Sequence, residues 1–195
     1  CSTIRQIDLK KVIAYSSVAH MNFVTLGVMS NSIQGIEGCI YLMIGHGFVS
    51  SALFLCVGLL YERYGSRIIK YYGSLVYGMP VFSILFLGFS LANIGLPGLS
   101  NFVGEFLILV SVFSVNIFSG LLAMIGVLLG VIYSMWLYNR VVFGKLKKEY
   151  LNYYCDINKR EFVYLIVLFI LTLFFGFCPG FVLNSIHLNC MFLII

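Results

Sequence analysis

Residues 118–138 read FSGLLAMIGVLLGVIYSMWLY, a run without one charged side chain. A helix rises about 1.5 Å per residue and the hydrocarbon layer of a bilayer is about 30 Å thick, so a run of this length can cross it. Comparable apolar stretches cover residues 12–30, 38–61, 75–113 and 162–177. Across the 195 residues 61% are apolar and only 10% charged, with a mean hydropathy of +1.03, too little charge to cover a soluble surface. Backbone groups in lipid must be paired within their own segment, which makes these stretches helices. The expectation is an all-α membrane protein, one transmembrane module over residues 1–195 with about five spans. The last six residues, CMFLII, are too few to cross and are expected on the surface or against a neighbour.

The stretch at 75–113 is too long for one straight helix and is interrupted at Gly95, Pro97 and Gly98. Whether it crosses once or twice follows from its charged flanks. If it crosses once, all twelve basic residues fall on one face, from Arg5, Lys10 and Lys11 through Arg63, Arg67 and Lys70 to Arg140 and the lysines and arginine of residues 145–160. A second crossing would split them. The positive-inside rule favours one crossing by a broken helix, with the basic loops on the cytoplasmic or matrix side. Tyr61, Tyr64, Tyr71, Tyr72, Tyr138, Tyr150, Tyr153 and Tyr154 gather near that face as an expected interfacial belt. The polar loop at 144–161 is a candidate surface helix or docking contact. Read this way, the net charge of +5 is an orientation signal, with no nucleic-acid partner implied.

Three ionisable side chains lie well inside the spans: His20, His46 and Glu105. By the helix rise, each histidine is about 12 Å from the start of its run and Glu105 about 10 Å past Pro97, so all three come near mid-depth. Ionisable groups there are expensive and generally face a wet interior or a pathway. Pro97 lacks a backbone donor and the flanking glycines permit a sharp turn, so the break is expected beside protein or a water-filled cavity. An imidazole titrates near neutral pH and can pass a proton on. Ser16 and Ser17 lie one turn before His20, and Ser50 one turn after His46, at spacings that could hold bridging water. Each histidine could instead make an interhelical hydrogen bond, and Glu105 could be the buried partner of a cation; three such groups at one depth favour a proton relay.

Six cysteines are scattered without the spacing of a metal site. No phosphate-binding glycine loop or paired nucleophile and base is evident, and no redox cofactor is expected. The chain begins at Cys1 without the order of a cleavable signal. The expectation is the later part of a longer protein, or one piece of a split one.

In order along the chain, DLKKVIAYSSVAHM, MIGHGFVSSALFLCVGLLYER and GLPGLSNFVGEF closely resemble the second half of the antiporter-like proton-channel subunits of respiratory complex I, in their subunit 4 branch. The likeness runs from about Asp8 to Phe143. It implies that Pro97 marks a discontinuous helix, that Glu105 is its proton-carrying carboxylate, and that His46 and His20 lie on a hydrated central axis. It also implies that no flavin, iron–sulfur cluster or quinone site belongs to this chain. The enzyme would be the assembled proton-translocating NADH:ubiquinone reductase, in the mitochondrial inner membrane with basic loops in the matrix, a bacterial plasma membrane being the other location.

Ala19 and Asn22 stand where such subunits often carry Ser and Gly. The family's channel also uses a glutamate and lysines on earlier helices, and no lysine lies inside the spans here. The expected partners are therefore the other membrane-arm subunits, membrane lipids, and a separate chain carrying the first half. Two other functions share these features: a subunit of a multisubunit cation/proton antiporter, and a structural membrane module whose channel has decayed.

Overall fold

A computed structural model describes residues 2–145 and 155–194. Its helices are α1 (Leu9–Met29), α2 (Ile33–Tyr64), the single turn α3 (Leu75–Gly78), α4 (Pro80–Ile94), α5 (Ser100–Val115), α6 (Ile117–Val142), α7 (Lys159–Phe177) and α8 (Gly180–Ile194). By length and composition α1, α2, α6 and α7 can each cross a membrane, while α4 and α5 are shorter apolar helices. The described residues contain no strand, only an isolated bridge between Asp8 and Ile68.

Local chemistry sets the ends. The Ser32 side chain accepts from the Gly35 amide to start α2, and Gly65, at φ +64°, stops it in the left-handed conformation glycine tolerates. Asn116 opens α6 by accepting from Phe118, and Asn158 with Glu161 forms a reciprocal capping box on α7. The turn between α1 and α2 thus shrinks to the few residues around Asn31, and Ile33 to Glu37, in the gap between the apolar stretches at 12–30 and 38–61, are helical. Of the CMFLII segment, residues 190–194 are the end of α8, a helix packed along α2, and Ile195 lies outside the described residues.

The interrupted stretch runs as one unit antiparallel to α2. Its contacts run in reverse order along α2: Gly35 meets Ser111, Gly38 meets Leu107 and Gly104, and Gly45 meets Asn101 and Ser100. Near the C-terminal end of α2, the Tyr64 hydroxyl reaches the Met79 sulfur just before α4. Together α4 and α5 span about 46 Å of helical rise, close to the ~48 Å of α2. Small residues make the α2–α5 seam tight. A Cβ on Gly104 would lie 2.8 Å from Leu42 backbone atoms, so side-chain-free positions let the two helices close on each other.

The helix ends that carry basic residues gather at one end of the bundle. Leu9 N–H donates to Arg67 C=O and Ile69 N–H to Ile7 C=O, each at 2.9 Å, and Ser74 N–H donates to Phe143 C=O. Arg63 meets Glu161 at 2.5 Å. Asp156 accepts from the amides of Val81 and Phe82, capping α4 from a distant part of the chain. Two residues of the expected aromatic belt are interior. Tyr72 is buried with its hydroxyl donating to Ser66 C=O, and Tyr138 is buried against Phe86. Burial, and Tyr64 beside it, push the Tyr72 phenol up, so it remains a neutral donor. Lys147, Lys148, Tyr150, Tyr153 and Tyr154, with the rest of residues 146–154 in the loop at 144–161, lie outside the described residues.

Candidate functional site

The break between α4 and α5 forms one wall of the site. Gly95 and Gly98 take φ of +78° and +92°, and Pro97 sits between them. The amides of Gly95, Leu96 and Leu99 all remain hydrogen-bonded within the turn, so the interruption leaves fewer orphan amides than proline and glycine alone suggest. Behind the break, α7 approaches closely: a Cβ on Gly176 would lie 2.1 Å from Gly98 O.

Glu105, on the second turn of α5, folds back onto this turn. A Cβ on Gly95 would lie 2.4 Å from Glu105 Oε2, so Gly95 supplies both the positive φ and the space for the carboxylate. Across from it, His20 on α1 places Nδ1 3.2 Å from Glu105 Oε1. His46 on α2 lies next in line, its ring centroid 5.0 Å from that of His20. Three residues far apart in sequence thus form a contiguous chain, Glu105 to His20 to His46, inside the bundle.

Orphaned polar atoms mark the same region. Among the described residues, buried side-chain atoms without a protein hydrogen-bond partner are His20 Nε2, His46 Nδ1, Asn93 Oδ1, Ser100 Oγ and both amide atoms of Asn101. All surround the break. Leaving such atoms dry in an apolar interior is costly, and water is the partner that fits. A cavity of about 90 Å³ lined by His20, Asn93, Glu105, Gly126, Gly130 and Tyr133 offers room for it. A second, smaller cavity shares Asn93 and Tyr133 and adds Ser16, Ser90 and Ser134.

The serines named with the histidines are placed differently. Ser16 and Ser17 both donate to Ile13 C=O, and Ser16 also lines the second cavity. Ser50 donates weakly to Gly47 C=O and lines neither of these cavities. Tyr133 was not legible as a site residue, because a tyrosine in an apolar helix reads as packing. Asn93 is no more conspicuous, since an asparagine within a span commonly hydrogen-bonds one helix to another.

A second buried carboxylate was also missed. Glu37 Oε1 lies 2.5 Å from His187 Nδ1 on α8. Glu37 is nine residues before His46 on α2, about half a turn round the helix, so this pair faces α8 and away from the Glu105 chain. Glu37 lies in the gap between the apolar stretches at 12–30 and 38–61, where an acidic residue carries no sign of burial.

Residues 1–133 match the family model described as NADH:quinone oxidoreductase/Mrp antiporter, transmembrane. Chain 4 of NADH-ubiquinone oxidoreductase from Chondrus crispus is 55% identical over 188 residues, covering 96% of this chain and 38% of that protein. The present chain therefore spans well under half the length of such relatives. Among solved structures, respiratory complex I from Thermus thermophilus with bound NADH superposes with a TM-score of 0.90 at 30% identity, covering 97% of this chain and 40% of the other. The Mrp complex from Dietzia sp. DQ12-45-1b superposes with a TM-score of 0.84, covering 96% of this chain and 43% of the other; at 16% identity this is a likeness of fold.

Proposed function

Because the chain belongs to the NADH:quinone oxidoreductase/Mrp antiporter transmembrane family, we propose that it supplies the later part of a proton-translocating channel in the membrane arm of an NADH:ubiquinone oxidoreductase. The observation that carries this reading is the Glu105–His20–His46 chain, closed against the Gly95 turn and bordered by orphaned polar atoms and a cavity.

The geometry supports a division of labour. Glu105 and His20 are near enough to hand a proton directly across 3.2 Å. His20 Nε2 and His46 Nδ1 are buried and unpaired with protein, so each can accept or donate to water carrying a proton onward. Glu105 would exchange with the side opposite the basic loops, and the histidines would relay laterally. Redox chemistry would reside in other chains. The cavity is lined from α1 by Ala19, His20 and Phe23 and from α6 by Gly126, Val127 and Gly130. Its α1–α6 mouth is where a polypeptide equivalent to the earlier part of the relatives would meet this one and bring the cations missing here.

Location in the mitochondrial inner membrane, with the basic end in the matrix, belongs to the same proposal. Purification in mild detergent followed by mass spectrometry tests it. The chain should travel with flavin-containing, NADH-oxidising subunits and with a polypeptide matching the earlier part of chain 4. Isolation with antiporter subunits alone, in membranes exchanging Na⁺ for protons without NADH, would overturn it in favour of the antiporter reading.

A further inference from the structure

We propose that the α1–α2 groove at the basic end of the bundle is a binding site for an anionic phospholipid. Lys10, Phe54, Val57, Gly58, Tyr61 and Arg67 line a cavity of about 430 Å³ there. The two cations are brought together by the backbone bond from Leu9 N–H to Arg67 C=O. Lys11 is engaged with Asp8 at 3.5 Å, whereas Lys10 makes no ion pair among the described residues. The Arg67 guanidinium carbon lies 4.2 Å from the Tyr61 ring centroid. Stacking fixes the plane of the guanidinium and leaves its edge N–H groups available for a phosphate.

A shallow track of small residues with Phe54 among them, uncharged throughout, leads away from these charges. Gly47, Ser51, Phe54 and Gly58 recur at spacings of four, three and four residues, one stripe along α2. A Cβ at Gly47 or Gly58 would meet nothing within 4 Å, so this stripe is left open among the described residues. It extends for about 17 Å, roughly half the hydrocarbon layer, from the cavity toward mid-depth. Two cations and a phenol at the interface, continued by a shallow uncharged track, match a phosphate headgroup and an acyl chain together. A soluble phosphate would use only the first part, and a zwitterionic lipid would gain little from two uncompensated cations. Asp8 and Glu62, the carboxylates nearest in sequence, do not line the cavity.

The test uses the intact purified assembly in phosphatidylcholine bilayers containing phosphatidylglycerol with a diazirine in its acyl chain. After illumination, adducts should map to the peptide carrying residues 54–61. Unlabelled phosphatidylglycerol should compete and glycerol phosphate should not, and phosphatidylcholine carrying the same diazirine should label this peptide much less. Lys10→Gln or Arg67→Gln should each lower labelling roughly fivefold, the weight of about one charge beside an anionic headgroup, and Lys10→Arg should retain it. Equal labelling by the phosphatidylcholine probe overturns the headgroup assignment, and competition by glycerol phosphate reassigns the site to free phosphate. No lipid adduct, with residues 54–61 joined to another polypeptide by a short cross-linker, shows a protein occupant and overturns the proposal. The competition experiments decide the matter on the unaltered protein even if a variant fails to assemble.

Discussion

Glu105 and Gly95 depend on each other. The carboxylate occupies space that only a glycine leaves, at a φ that only a glycine adopts cheaply. Gly95→Ala should therefore displace Glu105 from His20 as well as straining the turn by about 1 kcal/mol. Gly98→Ala shares the positive φ but would meet only Phe177, at 3.5 Å, and serves as the comparison. Proton transfer per assembled complex should fall with Gly95→Ala, whereas Gly98→Ala should act mainly on the amount assembled. Equal effects on both quantities would mean that strain alone matters and that carboxylate placement does not. His20, His46 and Glu105 could be singled out from sequence because an ionisable group at mid-depth is costly and therefore conspicuous. Tyr133 and Asn93 carry no such signal. Their place beside the cavity depends on how α4 and α6 pack, which periodicity does not reveal.

At the scale of elements, the broken pass is held at both ends and in the middle. Gly104 against Leu42 closes α5 on α2, Gly176 against Gly98 seats α7 on the break, and Asp156 caps α4. The Asp156 carboxylate satisfies two first-turn amides that Pro80 and its neighbours would otherwise leave open. Asp156→Ala should cost about 0.5–2 kcal/mol and lower the thermal stability of the assembled complex, with Asp156→Asn intermediate. Heating followed by native electrophoresis would show it, and an unchanged transition for Asp156→Ala would discount the cap. The spans and the interruption were legible because apolar length, proline and glycine act locally. The Asp156 cap and the Glu37–His187 pair were not, since each joins segments separated by scores of residues. Glu37 in particular falls in the gap between the apolar stretches at 12–30 and 38–61, while Ser32 starts the helix before it and the helix carries it to His187 on α8.

Over the whole molecule, a single broken pass is what brings the basic helix ends together. It fixes a parity that can be read chemically. Met29, at the far end of α1, and Cys155, before α7, are both exposed. An impermeant maleimide should reach Cys155 from the basic side and an introduced Met29→Cys from the other, and labelling of both from one side would mean two crossings. The central claim is that Glu105 carries protons. Glu105→Gln keeps size and hydrogen-bonding capacity while removing the exchangeable proton, so the decisive measurement is protons translocated per electron pair, alongside the amount of assembled complex, in the same membranes. The account predicts assembled complex with that ratio clearly reduced, and partial recovery with Glu105→Asp. Normal assembly with a normal ratio would contradict it. So would a depleted complex whose surviving molecules pump normally, the outcome expected if Glu105 merely balanced a buried cation.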